Sequence, residues 1–210
     1  MARRSNPDER ERKRLHILEV AAGEFARLGF DGANINTISE LAGFGKGTVY
    51  LYASSKEQLL LDVLNEIGFQ LRAALDESLM QSAGATVPDR LRALAEAFAD
   101  MVDEHPEFIR LQASALFGVN RRFQDGAAQV LRDVALRLAR IIDAEERRGA
   151  MRTMPAESLA VLLIGMLQTF ALLPDALGVS TGTREERIDF IVNFIWNGIA
   201  LKEGFVLATE

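Results

Sequence analysis

The chain has 210 residues, of which 49% are hydrophobic and 26% charged, a composition that excludes disordered and fibrous proteins and predicts a packed core. It contains no cysteine, which excludes disulfide bonds, thiolate metal ligands and cysteine nucleophiles and suits the reducing cytoplasm. The net charge of −6 argues against nucleic-acid binding, but residues 1–57 carry 9 basic and 8 acidic side chains whereas the remainder carries 15 and 22.

The first 14 residues form a basic segment, with six basic and three acidic side chains. Such an arm can follow a phosphate backbone, and it can equally be a solvated, frayed terminus. No uninterrupted apolar stretch follows it, so the sequence predicts no secretion signal and a cytoplasmic location.

Three short helices are predicted in the first quarter of the chain. Apolar residues recur at three- and four-residue intervals over residues 15–28, which predicts an amphipathic helix that ends near Gly29. Asn34 can cap a second helix, which Gly43 stops. A third helix follows within a few residues and ends near Ser54.

The rest of the chain also shows helical periodicity, with Ser54 or Ser55 as the next cap. No alternating pattern long enough for a strand occurs, so we expect an all-α fold of about nine helices, with a three-helix head on a larger helical body. Six helices are predicted here: Lys56 to about Met80, Pro88 to before His105, Pro106–Phe117, a long helix closing at Gly149, Pro155–Leu173, and Arg184 to about Leu201.

The longest apolar stretch, Leu159–Leu173, is shorter than the roughly 18 to 20 residues that a bilayer span needs, and it contains Gln168 and Thr169. We therefore expect a buried helix there. A loop from Pro174 to Thr183 is predicted to follow it.

The segment from Gly43 to Tyr52 has the features of a helix-turn-helix. Gly43 supplies a tight turn, and polar residues follow on the next helix. Lys46 and Tyr50 are four residues apart, as are Thr48 and Tyr52, so each pair lies along one side of that helix.

At these residues the chain resembles the TetR family of repressors. The resemblance covers about the first quarter of the chain and implies a DNA-binding head. The matching residues are Ile17, Leu18, Ala21, Ala22, Phe25, Gly29-Phe30, Ile38, Ala42-Gly43, Gly47-Thr48-Val49-Tyr50 and Ser55-Lys56-Glu57.

The resemblance also implies which residues contact DNA. Side-chain identity alone does not fix a base, so no operator sequence is predicted. The implied residues are Thr48, Tyr50, Tyr52 and Lys56 on phosphates or sugars, Lys46 and Gly47 near base edges, and Asn36 and Thr37 from the start of the second helix.

Four positions depart from the family pattern, which often has Thr at Asn34, Val at Phe44, Ser at Gly45 and Phe at Ala53. Gly45 matters most, because it removes a hydroxyl that can cap a helix and contact a phosphate. Its backbone N–H can instead approach a phosphate closely, with Lys46 supplying the charge. Both interpretations stay open.

Four of the DNA-binding assignments have a structural alternative. Tyr50 and Tyr52 can both be core aromatics, and Lys46 and Lys56 can simply be solvated. The segment Gly43–Thr48 superficially resembles a phosphate-binding loop, but it lacks the required spacing and follows a helix rather than a strand.

The resemblance implies a body that binds a ligand and forms a dimer. We expect a mostly apolar ligand, although methionine and phenylalanine at helical spacing are more often plain core. The candidate ligand residues are Phe98, Met101, Gln112, Leu116, Phe117, Met166, Gln168 and Phe170. The candidate dimer residues are Val161, Leu162, Phe190, Phe194 and Trp196.

Together these features predict a DNA-binding domain of residues 1–56 and a ligand-binding and dimerisation domain of residues 57–210. The implied function is that of a homodimeric transcriptional regulator, most often a repressor, released from a pseudo-palindromic operator by a small molecule. The helix that starts at Lys56 would transmit the ligand signal, because it joins the two parts.

Two other classes of protein are alternatives: an interaction protein whose head has lost DNA binding, which Gly45 and Ala53 make conceivable, and an enzyme. His16 and His105 are far apart in sequence, which argues against a metal site. No nucleophile stands at a diagnostic spacing from a base, and Glu145 and Glu146 are interpreted as a solvated helix end. We therefore expect no catalysis and no cofactor.

Overall fold

A computed structural model describes residues 7–199, except the side chain of Asp175. Within this range the regular structure is entirely α-helical and comprises nine helices, which confirms the predicted fold class. The helices are α1 Pro7–Gly32, α2 Ile35–Leu41, α3 Lys46–Tyr50, α4 Lys56–Gln81, α5 Val87–Glu104, α6 Pro106–Phe117, α7 Arg121–Arg147, α8 Ala156–Leu177 and α9 Arg184–Ile199.

The described residues form two compact units. The first contains residues up to 71 together with 102–131, and the second contains 72–101 together with residues from 132 onward. The first unit thus extends beyond residue 56, to which the DNA-binding domain was expected to reach, and that functional boundary stays a prediction.

One continuous apolar core fills the first unit. The stripe predicted on α1 is its centre, and residues of α2, α3, α4, α6 and α7 pack around it. Each fully buried large side chain contributes about 1.5 to 3 kcal/mol of transfer free energy. The largest of these side chains are Ile17, Phe25, Ile38, Val49, Leu59, Val63, Leu64 and Ile67.

The predicted turns of the head are confirmed. Gly29 has a φ of 69° inside α1 and interrupts its helical geometry where the sequence predicts an end. The Asn34 side chain accepts a hydrogen bond from the Asn36 amide at 2.8 Å and caps α2. Glycine is favoured at Gly29 and Gly43, where φ is 69° and 71°, because L-residues rarely adopt these angles.

The expected end of α8 is wrong by one turn. Pro174 lies inside the helix, which runs to Leu177, because a proline removes only one intrahelical hydrogen bond and packing can offset that loss. The stop is Gly178, with a φ of 64°, and the Val179 amide donates to the Pro174 carbonyl at 3.1 Å.

The expectation that α8 is buried is also wrong within this chain. Among the described residues one segment, Ala156–Pro174, is long and apolar enough to cross a membrane, a test that core helices of soluble proteins also pass. Only 17% of its residues are buried. The predicted end of α9 at Leu201 lies outside the described residues.

Ion pairs and a small apolar core join the helices of the second unit. Ala95 on α5 packs against Ile188 and Val192 on α9. Three arginine–carboxylate ion pairs connect α5 to α7 and α9. They are Arg90 with Glu145, Arg92 with Asp189, and Arg184 with Asp100.

Candidate DNA-binding site

A tight turn joins α2 to α3. The Gly43 amide donates to the Glu40 carbonyl at 3.0 Å, and the Phe44 amide donates to the Ser39 carbonyl at 2.8 Å. These bonds close the end of α2, and α3 begins two residues after Phe44. The turn therefore has the short, glycine-containing form that a helix-turn-helix requires.

The inner faces of α2 and α3 are apolar and fully buried. Ile38 and Val49 are completely inaccessible, and Ala42 and Ala53 are also buried. Because Ala53 lies in this core, the family's larger residue at that position would affect packing rather than a DNA contact.

The outer faces carry the predicted DNA-binding residues, and none of the nine is fully buried. Tyr50 is 44% exposed, so the core interpretation is wrong for it, whereas Tyr52 packs partly against the core. The Lys46 ammonium lies 5.9 Å from the centre of the Tyr50 ring, so the two side chains share one side of α3. The exposed members are Asn36, Gly45, Lys46, Gly47 and Tyr50, and the half-buried ones are Thr37, Thr48, Tyr52 and Lys56.

Gly45 is the N-cap residue of α3 and provides no side-chain cap. Its φ of −70° and ψ of 148° are accessible to any residue. A Cβ added there would meet no atom within 4 Å. Neither backbone conformation nor space requires glycine, and a serine fits this position.

Phe44, another departure from the family, packs partly against the core of the first unit. Its ring meets the His16 ring edge to face at 6.2 Å. The turn is thus braced against α1.

The Lys56 ammonium is held within the head. It donates to the carbonyl oxygens of Asp31 at 3.3 Å and Ala33 at 3.0 Å, and it lies 4.5 Å from the centre of the Phe30 ring. Lys56 therefore ties the start of α4 to the end of α1. Such a position does not favour the predicted phosphate contact.

Ser55 is the cap of α4, which decides between the two serines left open by the sequence. Its hydroxyl oxygen accepts from the Gln58 amide at 3.1 Å. The Glu57 carboxylate accepts a hydrogen bond from the Glu57 backbone amide and another from the Ser55 side chain, and these bonds lower the pKa of Glu57. The start of α4 is thereby well defined.

The described part of the basic segment is helical rather than frayed. Lys13 pairs with Glu9 at 2.8 Å, and Arg14 pairs with Glu66 on α4 at 2.8 Å. Residues 1–6, which include two of the six basic side chains, lie outside the described residues.

The structure distributes the eight predicted ligand residues over both units. Gln112, Leu116 and Phe117 belong to the first unit and the other five to the second. Phe117 is 81% exposed, which does not fit its expected pocket-lining role: it ends α6, where the side chain points to solvent. The half-buried ones are Phe98, Leu116, Met166, Gln168 and Phe170, and the buried ones are Met101 and Gln112.

Two cavities of the described residues are lined by other side chains. The one in the second unit has a volume of 40 Å³ and aliphatic walls that include Leu79, Leu91 and Leu138. Arg90 and Glu145 form its polar edge. Glu145 is therefore not part of a solvated helix end, because it pairs with Arg90 inside the unit. Leu138, Ile141 and Ile142 on α7 also line this cavity, but sequence could not show which residues of other helices face them.

The candidate dimer residues form an exposed apolar surface on α8 and α9. Val161, Phe190 and Phe194 are 62%, 54% and 58% exposed, Leu162 is also exposed, and Trp196 is half-buried. The Phe190 ring stacks with Phe194 at 6.0 Å between centroids. Ordinary monomer surfaces do not cluster large aromatics in this way.

The described residues hold no group of three His, Asp or Glu side chains placed to bind a metal ion. The helices α2 and α3 instead have the arrangement of a helix-turn-helix, with a buried inner face, a closed turn and a polar outer face. This defines the class of helix-turn-helix DNA-binding proteins.

Comparison with known proteins gives the family. The model of the tetR family of bacterial regulatory proteins matches residues 17–63. The chain is 30% identical to the HTH-type transcriptional regulator YdgC of Bacillus subtilis over 159 residues, which are 74% of this chain and 77% of the relative. It is also 30% identical to the HTH-type transcriptional repressor NicS of Pseudomonas putida over 162 residues, 76% of each chain. The chain belongs to the tetR family and is a transcriptional regulator, not an enzyme.

The fold agrees with solved structures. The regulator FadR from Bacillus subtilis, in complex with stearoyl-CoA, superposes with a TM-score of 0.75 at 14% identity, covering 88% of this chain and 98% of that one. This likeness concerns the fold alone.

Proposed function

We propose that the protein is a homodimeric repressor that binds a pseudo-palindromic operator and is released by a small, mostly apolar ligand. The observation that carries the proposal is α3, whose outer face exposes Lys46, Gly47 and Tyr50 while Val49 is buried beneath them. NicS, a relative of similar length, is named a repressor.

The operator contacts follow from position on α2 and α3. Lys46 and Gly47, at the start of α3, are proposed to lie at base edges, since the N-terminal part of a recognition helix enters the major groove. Thr48, Tyr50 and Tyr52 would contact phosphates or sugars, with the Gly45 amide beside them.

Asn36 and Thr37 would approach the groove from the start of α2. Lys56 is proposed to position α4 rather than to reach DNA, because its ammonium already donates to two carbonyl oxygens.

A second copy of the chain is the proposed partner of α8 and α9. Their exposed apolar residues would be removed from water in a homodimer, which is the main driving force of such interfaces. Two-fold symmetry would place the recognition helices about 34 to 36 Å apart, one turn of DNA.

The ligand is proposed to bind in the second unit. The FadR structure named above holds stearoyl-CoA, an acyl compound, and the cavity beside α4 and α7 has aliphatic walls. At 40 Å³ this cavity must widen to admit a ligand. Leu79, which lines it, belongs to the same helix as Lys56, so widening it would act on α4.

The division into a DNA-binding domain of residues 1–56 and a body of residues 57–210 belongs to this proposal, as does a cytoplasmic location. The core of the first unit unites α1, α2 and α3, but it also includes residues of α4, α6 and α7, so the boundary at residue 56 rests on the family resemblance.

Selection of binding sites from genomic DNA tests the proposal, followed by gel-shift titration of the enriched sequence. We expect a pseudo-palindromic sequence bound by two copies, with an affinity that falls by orders of magnitude between about 50 and 200 mM salt. A chain that enriches no sequence, or binds with no salt dependence, contradicts it.

A further inference from the structure

A second cavity, of 130 Å³, lies within the first unit and has no part in the proposed function. Its walls come from α1, α4 and the start of α6. Leu18, Val63 and Phe108 form an apolar floor and are buried, and Leu15, 37% exposed, stands at the opening. An apolar cavity of about 150 Å³ holds benzene, so a space of this volume is large enough for a single six-membered ring.

The edge of this cavity is polar and carries a surplus of negative charge. Glu19, Glu66, Gln70 and His105 line it. Glu66, whose side chain is only 12% exposed, pairs with Arg14 at 2.8 Å. The other carboxylate at the edge is that of Glu19, which lies 3.8 Å from Nδ1 of His16, one turn away on the same helix.

The remaining groups that line the edge, Gln70 and His105, add no fixed positive charge. The Gln70 amide donates to Glu66 at 3.4 Å and is neutral. The His105 ring stacks on Phe108 at 4.7 Å, and its Nδ1 lies 3.5 Å from Glu107, which adds a further carboxylate nearby. Hydrogen bonds to Glu11 and Glu66 raise the pKa of Arg14, so its one positive charge is fixed.

We propose that this cavity is a binding site for a small amine, an apolar ring that carries one protonated amino group. The ring occupies the floor between Leu18 and Phe108, and the ammonium lies at the edge against the carboxylates of Glu19 and Glu66. A neutral ring lacks the charged hydrogen bonds, and an anion is repelled by the edge.

Occupancy of the site has a structural consequence for the head. Leu18 is both a wall of the cavity and part of the core on which α2 and α3 pack. A ring held between α1, α4 and α6 therefore stabilises the first unit, because a ligand that binds only the folded state raises its stability.

Benzylamine, benzyl alcohol and phenylacetate test the proposal, since they share a ring and differ in charge. With the full chain, benzylamine is expected to give a saturable rise in melting temperature and a calorimetric titration with a single site. Benzyl alcohol should bind at least about tenfold more weakly, and phenylacetate should not bind. Equal responses to all three, or no response to benzylamine at about 10 mM, overturn the proposal.

Two variants, with one control variant, test the location of the site. Leu15→Trp closes the opening and should abolish the response, whereas Leu28→Trp, at an equally exposed leucine of the same helix, should keep it. Glu19→Gln, at an exposed position that leaves the Arg14 pair intact, should weaken benzylamine severalfold and leave benzyl alcohol unchanged. Undiminished benzylamine binding to Leu15→Trp would place the ligand elsewhere and overturn the assignment.

Discussion

The helix-turn-helix and the last two helices place their apolar side chains differently. In α2 and α3 the apolar residues Ile38 and Val49 are buried, and polar residues face outward together with Leu41 and Leu51. In α8 and α9 the aromatic residues Phe190 and Phe194 face outward, and Val161 and Leu162 are also exposed. The outer surface of α2 and α3 is compatible with water and suits a charged partner. The outer surface of α8 and α9 is stabilised when an apolar partner covers it and excludes water.

The largest expected effect tests the apolar half of this comparison. Phe190→Glu places a charge in the proposed interface and should weaken dimerisation by at least about a hundredfold, because a buried, unpaired carboxylate costs several kcal/mol. Sedimentation equilibrium measures the change. Phe69→Glu, at an exposed phenylalanine of α4, is the control and should remain a dimer. Unaltered assembly of the Phe190 variant would break the comparison.

The next effect tests the polar half. Tyr50→Ala should reduce operator affinity at least about 30-fold, the loss typical of an aromatic residue at the centre of an interface, while the dimer stays intact. Gel-shift titration and sedimentation measure the two properties. Full affinity in this variant would mean that the recognition face lies elsewhere on α3.

A smaller effect separates positioning from DNA contact at Lys56. Lys56→Met keeps the side-chain stem but removes the bonds to Asp31 and Ala33, and should lower the free energy of unfolding by about 1 kcal/mol. Urea unfolding measures this loss. The salt dependence of operator binding should keep its slope; a slope lowered by about one unit would instead assign Lys56 to a phosphate.

The smallest effect sharpens the account of α3. Gly45→Ser supplies the missing cap and should raise the free energy of unfolding by about 0.3 kcal/mol, with a matching gain in operator affinity. Gly45→Ala is the control, because alanine occupies the same open space without a hydroxyl. If serine and alanine both weaken operator binding, the close approach of the Gly45 backbone to a phosphate is the better interpretation, because either residue places a Cβ in that contact.

Helix boundaries were largely predictable because their signals are local. Asn34 caps α2, Gly43 forms the turn after α2, and Pro106 begins α6. Each does so through its own backbone geometry or hydrogen bonds. Two boundaries were wrong by about one turn. The end of α3 lies at Tyr50 rather than near Ser54. The end of α8 lies beyond Pro174, because one lost hydrogen bond does not end a helix when a stronger stop, Gly178, lies four residues further on.

The candidate DNA-binding face was predictable for a related reason. Spacing along one short helix fixes which residues share a side, so Lys46 and Tyr50 could be paired from sequence and lie 5.9 Å apart. The candidate ligand residues were not predictable in this way, because a cavity depends on residues from helices far apart in sequence.

The sequence by itself determined the all-α class, the helices and the turn at Gly43. Only the tertiary structure decided that Lys56 is held by α1, that Glu145 pairs with Arg90 and that few residues of α8 are fully buried. Periodicity shows that a helix has an apolar face but not what covers it, and an apolar helix has the same sequence whether its own core or a partner buries it.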